Sequence, residues 1–200
     1  MDLYLEIDRW VRQMRADLPL VDVFDKVAAR MLRADGEEHR ILATQLESLL
    51  REDGGYREAL QILDMLIDRY PDDVYSSISK TTLYLYYLDN PEAALKSIDL
   101  ALERANRTGF FRREALGNKA RILLQLGRGQ QLSDVLEEIM ALKIVKDIPD
   151  VGRERDFVDR APPGFIREDV LARYNQFRPK RPGDTTANEP PEFEPPDDCE

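Results

Sequence analysis

Ala59, Ala94 and Leu132 each open a helical segment, at intervals of 35 and 38 residues, and the apolar positions behind them keep step: Leu63, Ile98 and Leu136, then Leu66, Ala101 and Ile139. Each of these segments follows another helical segment and a turn, so the repeating unit is a helix, a turn and a second helix. One such pair has no cover for its apolar face. Pairs therefore stack side by side, and a small residue at the Ala59 and Ala94 position lets the two helices of a pair approach closely.

Helical periodicity runs through the rest of the chain, and no alternating strand pattern competes with it. Leu3, Ile7, Trp10, Val11 and Met14 fall on one face of a first helix that ends at Pro19. Phe24, Val27, Ala28 and Met31 mark a second, with Gly36 in "ADG" suited to a left-handed cap behind it. Ile41, Leu42, Leu46, Leu49 and Leu50 lead into "EDGG", after which the Ala59 helix runs until Pro71 stops it. A third pair turns at "DNP", with Pro91 in a first helical turn, where proline is tolerated. The fourth is "FFRREALGNKARILLQLGRGQQLSDVLEEIMAL", turning at Gly127 to Gly129.

The period, the alanines and the closing proline make residues 40–142 resemble the tetratricopeptide repeat (TPR) family; the best matching unit contains Ala43, Leu46, Leu50, Gly54, Tyr56, Ala59, Leu63 and Pro71. Glu47 and Thr82 stand where that family favours glycine, and the later units lack the proline. The resemblance implies an all-α fold, a right-handed α–α superhelix. The expected organisation is an N-terminal helix pair over 1–39 as a cap or divergent repeat, repeats over 40–142, turns and a capping helix over 143–178, and a disordered, proline-rich acidic tail over 179–200. Within 143–178, Pro149, Gly152, Pro162 and Pro163 break the pattern, and Ile166, Val170, Tyr174 and Phe177 then share one helical face. The tail has many prolines, few apolar residues and one sign of charge.

Composition excludes several classes of function. The longest apolar or aromatic run, "LYLYYL" at 83–88, is far short of the roughly 20 residues that span a bilayer, and the N-terminus does not read as a secretory signal, so a soluble, cytoplasmic chain is expected. Cys199 is the only cysteine, which leaves no internal disulfide and no multi-cysteine metal site. Net charge is -10, distributed unevenly: residues 1–103 hold 12 basic and 21 acidic side chains, 104–182 hold 17 and 11, and 183–200 hold none and 7. That balance disfavours nucleic acid, whose phosphates need neutralising cations.

Catalytic machinery is not evident either. His39 is the only histidine and reads as a solvated surface residue, which leaves no Ser-His or Cys-His dyad to assemble. "GRGQQ" at 127–131 matches neither the dinucleotide nor the P-loop pattern, and Asp72 with Asp73, or Glu137 with Glu138, read as ordinary solvated charges. No enzyme activity and no cofactor are expected. Recognition of another protein remains. In the TPR family the first helix of each repeat lines a concave groove, and the resemblance implies a partner-binding set of Thr44, Ser48, Ser79, Lys80, Leu83, Tyr86, Asn118 and Arg121, with Glu114 beside them. The Lys and Asn carboxylate clamp of some family members is mostly missing. Of Tyr84, Tyr86 and Tyr87, which cannot share one face, at least one is expected in the core. A basic patch of Arg112, Arg113, Lys119 and Arg121, within a run from Arg104 to Arg128 of seven bases and one acid, favours an anionic partner. The reading is a non-catalytic protein-interaction module for a protein or peptide ligand, with a dedicated cytoplasmic chaperone for a secreted or assembly client as the alternative. Oligomeric state and partner identity are not set by these features.

Overall fold

The computed structural model describes residues 2–142 and 155–177. The expected tail, and the broken stretch around Pro149 and Gly152, lie outside the described residues. The helices are α1 (Leu3–Asp17), α2 (Leu20–Met31), α3 (Gly36–Glu52), α4 (Tyr56–Arg69), α5 (Val74–Tyr86), α6 (Pro91–Thr108), α7 (Arg112–Gln125), α8 (Gly129–Ala141), the single turn α9 (Arg155–Val158) and α10 (Glu168–Phe177). No strand occurs among the described residues.

Local chemistry explains the helix ends. The Asp2 and Asp73 carboxylates accept hydrogen bonds from Tyr4 N and Tyr75 N at the starts of α1 and α5, and the Asn90 side chain accepts from Ala93 N ahead of Pro91. Gly109, in the left-handed region at φ 80°, ends α6. Two expectations shift here. Gly36 is left-handed at φ 49°, but it opens α3 and does not cap α2, whose last turn closes through Leu32 N–H to Ala28 O. The fourth pair starts at Arg112, so Phe110 and Phe111 stand outside the helix and are exposed, Phe111 in the left-handed region at φ 62°.

Each helix from α1 to α8 packs on its neighbours in sequence, α1 packs on α3 as well as on α2, and α10 returns to α8. The residues in step along the sequence do fill the helix contacts: Ala59, Ala94, Leu66, Ile98, Ala101, Leu136 and Ile139 are all buried, as are Leu63 and Leu132. The core is divided. One cluster joins α1–α4 around Ile7, Val27 and Leu42, and a larger one joins α5–α10 around Ile98, Leu123 and Tyr174. Between them Leu83 meets Ala59 and Leu63 in a narrow apolar waist.

Arginines reinforce that waist. Arg104, buried, donates from α6 to the carbonyls of Ile67 and Asp73, and Arg107 beside it donates to Asp72 and to Pro71 O. Asp72, still largely exposed, pairs with Arg107, and Asp73 caps α5. At the other end Glu137 on α8 accepts from Arg167 at 2.9 Å and from Arg173 at 2.5 Å, while Ser133 Oγ accepts from Arg167 N, which holds α10 in place. Val170 and Tyr174 bury one face of α10 as expected, and Ile166, expected on the same helix, precedes it and is buried beside them.

Candidate partner-binding groove

Helix α5 presents Tyr75, Ser79, Thr82 and Tyr86 at steps of four, three and four residues, which places them on one face. Tyr75 and Tyr86 are 46% and 45% exposed, and Ser79 and Thr82 half-buried. On one side Tyr75 closes a cavity of about 330 Å³ between α1 and α3, lined by Tyr4, Arg12, Thr44, Gln45, Ser48 and Arg51 among others. On the other side the Arg121 guanidinium of α7 lies 4.5 Å from the Tyr86 ring and 5.4 Å from that of Phe157 on α9. One continuous surface therefore crosses α1, α3, α5 and α7: half-exposed tyrosines, small hydroxyls and arginine planes.

The charges at the α1–α3 end are balanced within the molecule. Arg12 pairs with Asp8 at 2.9 Å, Arg15 with Glu52 at 2.7 Å and Arg51 with Glu47 at 3.1 Å. Glu47 is buried although it holds the position where a small residue is usual; burial pushes its carboxyl above the ordinary range, and Arg51 only partly opposes this. His39 is the other buried titratable group. It was expected in solvent, but it is 5% exposed, with Nδ1 3.0 Å from the Tyr70 hydroxyl, which also lies 2.9 Å from Gly36 O. Burial, then the charge of Arg69, pulls its pKa down. Three residues beyond a helix entry, the ring packs inward against the α4 end, a long-range contact with no local signal.

The structure sorts the expected contacts. Thr44 and Ser48 line the cavity; Ser79 and Tyr86 lie on the open face of α5; Asn118 is half-buried on the α7 face that carries Arg121. Leu83 is fully buried in the waist and is no surface contact. Lys80 sits on the far side of α5, paired with Asp64 of α4, and Lys119 repeats this one unit later with Asp99 of α6 at 2.8 Å. Both lysines face second helices, away from the groove. Tyr84 packs on the core, as one of the three tyrosines had to. Tyr4, Tyr75, Gln45 and Arg51 were missed; for Tyr75 the signal was present, since it stands four residues before Ser79 and eleven before Tyr86.

The basic patch is corrected more broadly. Arg112 pairs with Glu138, Lys119 with Asp99 and Arg128 with Glu92, and Arg113 is engaged as well. Arg104, Arg107, Lys119 and Arg128 fasten one helix pair to the next, while Arg112 joins the two helices of the fourth pair. Seven bases in sequence do not make a free cationic face, because their partners lie about one repeat away: Arg107 with Asp72 and Arg128 with Glu92. Glu137 and Glu138, expected as solvated charges, are both partners in these contacts. No group of side chains able to hold a metal ion occurs among the described residues. No described helix is long and apolar enough to cross a membrane.

No protein-family model and no curated protein matches the sequence. Two solved structures do match the fold. A tetratricopeptide repeat protein from Parabacteroides merdae ATCC 43184 superposes with a TM-score of 0.58 at 16% identity, covering 88% of this chain and 67% of that one. A Podosopora anserina structure, described as kinesin light chain nearly identical TPR-like repeats, gives a TM-score of 0.52 at 15% identity, covering 84% of this chain and 83% of that one. The fold is therefore the all-α, right-handed TPR-like solenoid.

Proposed function

We propose that this chain is a non-catalytic binding module that holds an extended segment of a partner protein along α1, α3, α5 and α7. The observation that carries the reading is the half-exposed line of Tyr4, Tyr75 and Tyr86 beside a hydroxyl-lined cavity, continuous with Arg121. Tyrosine offers a rigid apolar face and a polar tip at little conformational cost, a combination that suits adaptable recognition of a peptide. The single histidine is packed against Tyr70, so the groove offers no general base of that kind. The contacts proposed are Thr44, Ser48, Ser79, Tyr86, Asn118 and Arg121 from the original set, with Tyr4, Tyr75 and Arg51 added.

Affinity capture from lysate with the parent chain and a Tyr75→Ala/Tyr86→Ala variant, read by mass spectrometry, tests this. The expected result is a partner retained by the parent and lost by the variant, with superimposable melting curves. Equal capture by both proteins rules out the groove. A single unstable client whose solubility collapses without the chain favours the dedicated chaperone over the general module.

A further inference from the structure

The groove has a ligand-shaped spacing. Tyr75 and Tyr86 are eleven residues apart on α5, about 16 Å at the helical rise of roughly 1.5 Å per residue. The chain itself carries two diproline steps, Pro190-Pro191 and Pro195-Pro196, five residues apart. In a polyproline II conformation, at about 3.1 Å per residue, these also stand about 16 Å apart. Aromatic-lined grooves take such segments because proline pre-sets the bound conformation and stacks on ring faces. Between the two steps lies Glu192-Phe193-Glu194: one large apolar side chain to set against Ser79 and Thr82, and carboxylates to meet the Arg121 guanidinium that lies over Tyr86. The reach suffices. From Phe177, on the helix that packs against α8, to Phe193 the chain spans up to about 50 Å when extended. Crossing from α7 to α1 takes three helix spacings, about 30 Å.

We propose that the chain's own segment Pro190–Pro196 occupies the groove in cis, with its two diproline steps on Tyr75 and Tyr86, and that a partner must displace it. This rests on the groove reading above and adds the occupant. Arg112, Lys119 and Arg128 of the basic run already have carboxylate partners and are not the docking surface. Because the segment is tethered, its effective concentration is high, and a competing peptide in trans meets a groove already filled.

Cys199, the only cysteine, allows a nitroxide to be placed three residues beyond Pro196 in the otherwise unchanged full chain. The expected result is selective broadening of the amide signals of Tyr75, Ser79, Thr82 and Tyr86. It should vanish when Pro190, Pro191, Phe193, Pro195 and Pro196 are all replaced by alanine, with the melting curve expected to match that of the parent. A labelled peptide of residues 188–198 should then bind the replaced chain several-fold more tightly than the parent. Broadening confined to α10, or peptide affinity equal for parent and replaced chain, overturns the proposal. If broadening fails while the Tyr75→Ala/Tyr86→Ala variant still loses its captured partner, the groove reading survives and only the occupant is wrong. If the groove broadens and capture is indifferent to those tyrosines, the occupant stands and the partner reading falls.

Discussion

Arg104 and Arg107 occupy the same helix three residues apart and reach the same loop, yet their burial sets their worth apart. Removing Arg104 leaves the carbonyls of Ile67 and Asp73 without their donor in a buried place, so Arg104→Ala is expected to cost about 1–3 kcal/mol in chemical denaturation. Arg107 is half-exposed, and Arg107→Ala should stay within about 1 kcal/mol. Similar losses for both would mean that the waist is not held through Arg104. Glu47 gives a pH-dependent case. Burial holds its folded pKa above the ordinary carboxyl value of about 4.5 despite the pull of Arg51, so the folded state holds this proton more tightly than the unfolded chain does. Ionisation therefore removes stability as pH rises above about 4.5 and through the raised folded pKa. Glu47→Gln is expected to melt above the parent at pH 7, with the gap closing as pH falls below about 4.5; a lower melting temperature for the variant at pH 7 contradicts the sign. His39 has the opposite dependence on acid. Its pKa is lowered in the folded state, so stability declines as pH falls below about 6.5.

Among the helices, the repeated alanines set how closely a pair can approach. Ala59 and Ala94 have no exposed surface, and each faces the first helix of its own pair or the next pair. An indole at either place has no cavity to enter, so Ala59→Trp and Ala94→Trp are expected to lower stability by about 1–3 kcal/mol or more in thermal or urea melts. Parent-like melting of both would remove the alignment of Ala59 with Ala94 as a structural fact. Glu47→Gly, at the first-helix position of the same unit, should be milder: it adds a glycine penalty of about 1 kcal/mol within a helix but relieves a buried carboxylate.

At the scale of the whole molecule, the α9–α10 segment covers α8. Val158, Ile166, Val170 and Tyr174 cover α8, and Glu137 ties Arg167 and Arg173 across the same seam. The tightest point is Gly129, where a Cβ would stand 1.9 Å from Phe165 O and 2.9 Å from its carbonyl carbon. These are backbone atoms, unable to turn aside. Gly129→Ala is thus expected to push the α9–α10 segment off α8, raising hydrogen exchange across Ile166, Val170 and Tyr174 while α1–α4 keep parent-like protection. Unchanged exchange there would show that the end of the stack yields at no cost.

Helix positions, turns, the aligned core residues and the repeat architecture were legible in the sequence because they follow from near-neighbour chemistry: apolar periodicity, glycine and proline at turns, and a period that recurs. Ala59, Ala94, Leu66 and Ile139 needed no tertiary knowledge to be placed in the core. Direction across the stack was not legible. Leu83 and Lys80 belonged to the expected groove by offset, but a modest rotation of α5 about its axis puts one into the waist and turns the other to Asp64. The same holds for charge. A run of bases reads as a cationic patch only while its partners, 20 to 36 residues away, are unknown; once packing brings Asp72, Glu92, Asp99 and Glu138 alongside, those bases become fastenings between helices. His39 follows that rule, since Tyr70 reaches it from 31 residues away. Sequence determines which residues prefer burial and where helices begin and end, because those preferences act over a few residues. The tertiary structure alone decides which surface is left open, because that depends on which side chains from distant repeats satisfy one another first.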